Sequence, residues 1–366
     1  MNKILATTAA VLLMSTTDAS AQPAPAADAG SEDPVTVAVA AVGDIMLGTD
    51  YPEHRLADDD GASLLQDPAP IIREADIGFG NLEGVLLDGG EPVKKCSNPS
   101  ACYLFRSPTR YAAHLADAGF TVMSLANNHA RDFGEEGRDS SMTALQANGI
   151  LHSGREGDVA SWEVGDIKVA LIAFAPFKGA HDLLNIPAAA GRIRALADSH
   201  EIVIVSMHAG GESGDVLRIP FETEYFRGEN RGDVVRFARS AVDAGADLVV
   251  GHGPHVPRAM EVYQDRIIAY SLGNFATYYG IRVTGDNGLA PLLVAELDAQ
   301  GKFLGGSLHS FRQRRPGGPV SDTSAEAFRL IERLSREDFP ESAPLFLEDG
   351  RIAPRASTTA QSSPPD

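Results

Sequence analysis

Five short segments of this sequence carry side chains able to bind a metal ion or move a proton. They are Gly43–Asp44 in VGDIMLG, Asn81 and Glu83 in GNLEG, Asn128, His129 and Asp132 in ANNHARDFG, His208 and Glu212 in SMHAGGE, and His252 and His255 in GHGPHV. Taken singly, each has an ordinary structural explanation. An Asp after a strand caps a helix, Asn tolerates left-handed turns, and a lone His is commonly a satisfied core residue. Their joint occurrence is harder to explain that way, because four of the ten histidines fall beside strand ends whose neighbours bear Asp, Asn and Glu. Imidazole and carboxylate donors together suit Zn, Mn, Fe or Ni, whereas an all-oxygen set would point to Mg or Ca. The other histidines, His54, His114, His152, His181, His200 and His309, lack such a context and default to surface or packing roles.

Most of these segments follow directly on apolar, β-prone runs, where open α/β sheets present their chemistry. Val35–Val42 reads as a central strand, followed by Ile77–Asn81, a helix at Arg110–Ala118, a strand at Phe120–Ser124 and a helix at Gly134–Asn148 that stops at Gly149. Strands at Lys168–Ala175 and Ile202–Met207, a helix at Gly232–Asp243 and a strand at Leu248–Val250 come next. The pattern then changes. Ala259–Tyr263, Arg266–Tyr270, Leu292–Leu297 and Phe303–Phe311 succeed one another without helices, with turns at Gln264–Asp265 and Gln300–Gly301, so antiparallel hairpins are expected. Arg312–Pro319 reads as a loop and Ser324–Ser335 as a final helix.

The 366 residues, 43% of them hydrophobic, can bury a large core, and a net charge of −19 argues against nucleic acid or an anionic membrane surface as the main partner. An anionic substrate must then be held locally, by metal or by a few arginines such as Arg106 and Arg131. Residues 1–21 read as a secretory signal peptide: Lys3 opens it, Ile4–Met14 is a short apolar core, and Ala19–Ser–Ala21 is a small-residue cleavage site. A run of roughly eleven residues is too short to span a bilayer, so cleavage and a periplasmic or extracellular protein are expected. Residues 22–34 read as a disordered linker, 35–347 as the folded domain and 348–366 as a disordered tail. Cys96 and Cys102, the only two cysteines, bracket a polar loop, and export favours a disulfide worth about 2 kcal/mol.

VGDIMLG, GNLEG, SLANNHARDFG, SMHAGGE, GHGPHV and YSLGNF, in this order and at these intervals, resemble the capsule-synthesis CapA family, also called poly-γ-glutamate biosynthesis proteins. The resemblance extends from about Val37 to Phe275. It implies an α/β fold similar to calcineurin-like metallophosphoesterases, a four-layer α/β/β/α sandwich around a dinuclear metal centre. Carried over by residue, Asp44 resembles the strand-end ligand, Glu83 a bridging carboxylate, Asn128 a ligand and His129 the general acid. His208 resembles the isolated histidine ligand, and His252 and His255 the last pair. One or two divalent ions, Mn, Fe or Zn, are implied. Two departures stand out: Asp44–Ile45–Met46 offers no imidazole where the superfamily has Asp-x-His, and Gly253 and Pro254 separate the last two histidines where the superfamily has one residue.

Asp132, three residues after His129, is expected to orient that imidazole and raise its pKa. Arg106, Arg131, Asn81 and Glu212 are the expected substrate-binding residues. Two functions are compatible with this set. One is a metal-dependent hydrolase of a phosphoester or anionic polymer. The other is a non-catalytic factor that holds a capsule polymer during export or surface retention, alongside capsule-synthesis machinery at the membrane.

Overall fold

The Val- and Ala-rich run at the start of the domain forms β1 (Thr36–Met46), buried without interruption from Val39 onward. Such a run suits a strand covered on both faces. The computed structural model describes residues 35–95, 102–212 and 216–355. β1 lies inside a ten-stranded sheet whose main order is β20 (Leu345–Phe346), β21 (Arg351–Ala353), β18 (Phe303–Gln313), β17 (Leu289–Asp298), β1, β2 (Ile77–Leu82), β5 (Val122–Ser124) and β6 (Leu151–Ser153). β16 (Asn274–Thr277) pairs with β1, and β19 (Pro319–Ser321) with β18. A seven-stranded sheet runs β14 (Met260–Tyr263), β15 (Arg266–Ala269), β13 (Leu248–His252), β10 (Ile202–His208), β8 (Ile167–Ala175) and β7 (Ala160–Val164), with β9 (His181–Asp182) beside β8. Two short pairs complete the set: β3 (Val85–Leu86) with β4 (Arg106–Ser107), and β11 (Glu224–Phe226) with β12 (Glu229–Gly232).

The sheets pack face to face. Val37, Val39, Ala41 and Phe79 from the first meet Val169, Leu171, Ile204 and Val250 from the second in one apolar core. Each such aliphatic side chain contributes roughly 1.5–3 kcal/mol on burial. The outer face of the first sheet is covered by α1 (Ala69–Glu74), α2 (Tyr111–Ala118) and α3 (Gly134–Ala147), through residues such as Ile72, Leu115 and Leu145. The second sheet is covered by α4 (Ile186–Ala197) and α5 (Val234–Asp243), through Ile193 and Phe237. α6 (Glu326–Asp338) contributes Ile331 to the core between the sheets and Leu334 to the outer core of the second sheet. The architecture is therefore the four-layer α/β/β/α sandwich expected.

Several elements differ from the sequence expectation. β1 continues through Asp44 because Gly43 lets β16 approach: a Cβ there would sit 1.9 Å from the Gly273 carbonyl oxygen, which accepts the Asp44 N–H at 2.9 Å. α4 escapes the apolar-periodicity test because it is alanine-rich, although its Asn185 cap accepts the Ala188 N–H and Pro187 opens it. The two expected hairpins exist but belong to different sheets: β14–β15 extends the seven-stranded one and β17–β18 the ten-stranded one. Ordered chain also continues past Leu347, because Ile352 of β21 is buried against the core in a stretch otherwise polar enough to read as tail. The signal segment, the linker, Cys96 and residues 356–366 lie outside the described residues. Among the described residues, no helix is long and apolar enough to cross a membrane.

Candidate metal centre

The parallel strands of both sheets deliver their carboxyl ends to one place. Asp44 of β1 pairs in register with Asn81 of β2, and His208 of β10 with His252 of β13. Glu83 follows β2 directly, and His255 follows β13 after a short turn. Ligand atoms of Asp44, Glu83 and His255 all lie within 4.8 Å of one another. His252 Nδ1 stands 3.6 Å from Asp44 Oδ1, and His255 Nδ1 3.0 Å from Asp44 Oδ2. Glu212 reaches the same group, 4.0 Å from His255 Nε2.

The charge pattern of this cluster calls for a cation. Both carboxylate oxygens of Glu83, both ring nitrogens of His208 and of His252, and Asn128 Oδ1 are buried without a hydrogen-bond partner among the described residues. Leaving such groups unpaired costs roughly 1–3 kcal/mol each. Burial pushes the Glu83 carboxyl well up, reinforced by the nearby Asp44 charge. Burial opposes ionisation of Asp44 too, but the adjacent His252 and His255 imidazoles outweigh it and hold its pKa low. Burial works against a charged His255, yet Glu83, Asp44 and Glu212 overcome it and push its pKa up to about 10. A proton on His255 thus substitutes for positive charge that the site demands. His208, with less such help, is driven well below the usual histidine range by burial. Asp44, Glu83, Asn128, His208, His252 and His255 are donors of the right chemistry for a divalent ion, so the residues fit the implied metal.

His255 sits in the left-handed region, φ +59°, an uncommon conformation for a non-glycine residue. Asn274 secures it: its Oδ1 lies 3.0 Å from His255 Nδ1 and its Nδ2 donates to the His255 carbonyl, as does Asn287 Nδ2. A second amide series links the metal cluster to the proton-moving group. Asn81 Nδ2 donates to Asp44 Oδ1 at 2.9 Å, Asn127 Nδ2 donates to Asn81 Oδ1 at 3.0 Å, and Asn127 Oδ1 accepts the His129 N–H at 3.0 Å. Asn81 is therefore fully buried between ligand and loop, rather than open to a substrate.

His129 lies under the Phe105 ring, with centroids 4.3 Å apart, and its Nδ1 meets Asp132 Oδ2 at 2.7 Å. That carboxylate also accepts the Phe105 N–H and pairs with Lys94 Nζ at 2.9 Å through its other oxygen. Asp132 orients the imidazole as expected, but the net pKa shift is the reverse of the expectation. Burial lowers the His129 pKa, Asp132 only opposes it, and Lys94 adds to the lowering.

A cavity of about 540 Å³ opens beside this cluster, with His129, Asn128, His255 and Glu212 in its wall. Its lining also carries five cations, Lys94, Lys95, Arg227, Arg231 and Arg282, against the two carboxylates of Glu212 and Glu229. Arg231 is the notable one, with its side chain only 3% exposed, held by Glu212 and Glu229 and sandwiched by Phe177 and Phe226. Of the expected substrate residues, Glu212 lines this cavity and Arg131 lines a neighbouring one. Arg106 lies outside both linings: it ties Asp50 to the Gly89 and Gly90 carbonyls and packs against Tyr51 and Phe133. Lys94, Arg231, Asn127 and Asn274 were not anticipated in these roles. Asn274 carried a signal, since it is the Asn of YSLGNF, the segment that follows the apolar strand β15.

Residues 38–279 match the family described as bacterial capsule synthesis protein PGA_cap. The chain belongs to that family. Among curated relatives, the PGA biosynthesis protein CapA of Bacillus subtilis is 29% identical, the match covering 85% of this chain and 80% of that protein. The capsule biosynthesis protein CapA of Bacillus anthracis is 28% identical, covering 68% of this chain and 61% of that protein. Among solved structures, a 5'-nucleotidase precursor from Thermus thermophilus aligns with a TM-score of 0.42 at 14% identity, covering 82% of this chain. The chain spans 59% of that structure's length.

Proposed function

We propose that this PGA_cap family member is an exported, metal-dependent hydrolase acting on an anionic polymer or phosphoester in capsule or poly-γ-glutamate metabolism. One observation carries the proposal: buried donor atoms of Glu83, His208 and His252, unpartnered among the described residues, gather with Asp44 and His255 beside a cavity lined by more cations than carboxylates. Asp44, Glu83, Asn128, His208, His252 and His255 would hold one or two ions, Mn, Fe or Zn. A bound divalent ion supplies Lewis acidity and offsets the negative charge that develops during hydrolysis.

The chain's own residues supply the rest. Asp132 engages His129 Nδ1, which leaves Nε2 as the ring nitrogen that gives a proton to a leaving group in the cavity. Lys94 fixes Asp132, and Phe105 covers one face of the imidazole. Arg227, Arg282 and Lys95 attract and orient an anion that the chain's overall charge would otherwise repel, while Arg231 fixes Glu212 in the cavity wall. Export with cleavage after Ala21 and a Cys96–Cys102 disulfide belongs to the same proposal, and places the protein in the periplasm or outside the cell.

A second function, retention of a capsule polymer without hydrolysis, is favoured by Met46, a buried apolar side chain where an imidazole would complete the superfamily's first motif. Metal analysis of purified protein, followed by hydrolysis assays on phosphoesters and poly-γ-glutamate, separates the two. Metal-replete protein that cleaves one class supports the hydrolase. Metal-replete protein that cleaves neither but binds the polymer supports retention, and protein that takes up no divalent metal overturns the hydrolase.

A further inference from the structure

A smaller cavity of about 290 Å³ adjoins the main one, and Asn128, Lys94 and Phe177 belong to the linings of both. Its charge is unusual for this chain. Lys94, Arg131, Arg138 and Lys178 line it and, among the described residues, no acidic one does, although acidic residues outnumber basic ones by 50 to 31 overall. Lys94 is paired with Asp132, whereas the two arginines are held by a single shared carboxylate. Glu135 is shared by Arg131 at 2.8 Å, Arg138 at 2.5 Å and Arg155 at 3.2 Å. Arg138 also donates to the Gly179 carbonyl and Arg131 to the Lys178 carbonyl, which fixes the cavity floor to the Phe177–Ala180 turn. Phe177 and Val93 supply apolar wall.

We infer that this smaller cavity is a second anion-binding subsite, taking one carboxylate-bearing unit of a chain whose reactive bond lies in the main cavity. The inference rests on the anionic-polymer form of the proposed function and adds the placement of the substrate. Its volume, near the lower end for ligand sites at about 300 Å³, suits one residue-sized unit rather than a coiled polymer. Lys94, reaching both cavities, sits where the chain would pass from one to the other beside Asn128 and His129.

End-labelled γ-linked glutamate oligomers of increasing length, from the dipeptide upward, provide the binding probe, read by fluorescence anisotropy on full-length protein at low ionic strength. For wild type, affinity should rise at least about tenfold once the oligomer reaches both cavities, since the second contact is then intramolecular. The double variant Arg131→Gln, Lys178→Gln should lose that gain and bind every length as wild type binds the dipeptide. The exposed single variant Lys178→Gln, which carries little folding risk, should lose part of it. Arg282→Gln, in the lining of the main cavity, should weaken short and long oligomers alike. Retention of the full length gain by the double variant, or equal weakening at all lengths, overturns the subsite. A crystal soaked in glutarate gives an independent reading: density beside Arg131 and Lys178 supports the subsite, and glutarate confined to the main cavity or absent overturns it. If no oligomer binds wild type while glutarate occupies the subsite, the polymer assignment fails and the subsite stands.

Discussion

His208 and His252 stand side by side on neighbouring parallel strands, paired in register, and among the described residues none of their four ring nitrogens has a hydrogen-bond partner. Two fully buried imidazoles without partners are costly unless something ligates them. Added Mn, Zn or Fe is therefore expected to raise the unfolding midpoint of wild type, by an amount equivalent to about 2.7 kcal/mol at a metal concentration a hundredfold above Kd. His208→Ala and His252→Ala should bind less metal and show a smaller rise. A variant that keeps wild-type metal content and the full rise is not a ligand variant.

The His129–Asp132–Lys94 group separates chemistry from ligation. If His129 moves the proton, His129→Ala should lower turnover by roughly 10²–10⁴-fold while metal content stays near normal. Asp44→Ala should lose metal instead. Lys94→Met should change the pH profile of turnover, because it removes a cation 2.9 Å from Asp132 without removing the imidazole. Undiminished turnover in His129→Ala would remove it as the acid.

The ligand residues were legible because each lies at or shortly after the carboxyl end of an apolar strand, and such ends of parallel strands converge whatever the loops do. Lys94 and Arg231 were not. Lys94 lies in the featureless stretch GGEPVKK, and only the path of the chain brings it onto Asp132. Arg231 sits in RGENRG, which reads as a solvated turn, and its burial depends on Phe177 and Phe226 arriving from elsewhere. The sign of the His129 shift was also out of reach, since the depth of burial that outweighs Asp132 is a tertiary property.

Gly43→Ala should be far more damaging than a methyl group suggests. Its Cβ would meet the Gly273 and Leu272 carbonyl oxygens at 1.9 and 2.7 Å, forcing β1 away from β16 beside Asp44 and Asn274. Loss of metal binding together with stability is expected, by metal analysis and urea unfolding. A stable, metal-replete Gly43→Ala protein would show that the two strands can separate without disturbing the site.

His181 gives a stability signal independent of the metal cluster. It is buried, its Nδ1 lies 3.1 Å from the Ala173 carbonyl oxygen, and its Nε2 accepts the Gly157 N–H at 2.9 Å, so the neutral ring is already satisfied. Burial lowers its pKa. The unfolded chain then takes up the proton first, so stability falls as pH drops below the unfolded histidine pKa of about 6.5 and continues to fall until the folded pKa is passed. The slope from one such group is at most about 1.4 kcal/mol per pH unit. His181→Asn, which does not titrate, should show a flatter stability profile than wild type in this window; identical profiles would exclude the effect.

The buried pair Arg258–Glu224 tests how the cavity is held. Arg258 is fully buried, donates through both terminal nitrogens to Glu224 at 2.8 Å, and donates through Nε to the Val216 carbonyl. Glu224 in turn accepts the Gly211 N–H at 2.9 Å, next to Glu212 of the cavity wall. Arg258→Met leaves a buried carboxylate without its cation, and a loss of roughly 3–5 kcal/mol is expected in urea unfolding. Adding Glu224→Gln removes the stranded charge and should recover part of that loss, since the single variant's penalty is mostly an unpaired carboxylate. Recovery of stability need not restore the site, because Gln retains only one acceptor for the Gly211 N–H and no longer has Arg258 to hold it. The double variant is therefore expected to fold with near-normal metal content but weaker anion binding in the main cavity. Simple addition of the two single-variant losses would mean that the residues stabilise the fold separately and that Glu212 is positioned by Arg231 instead.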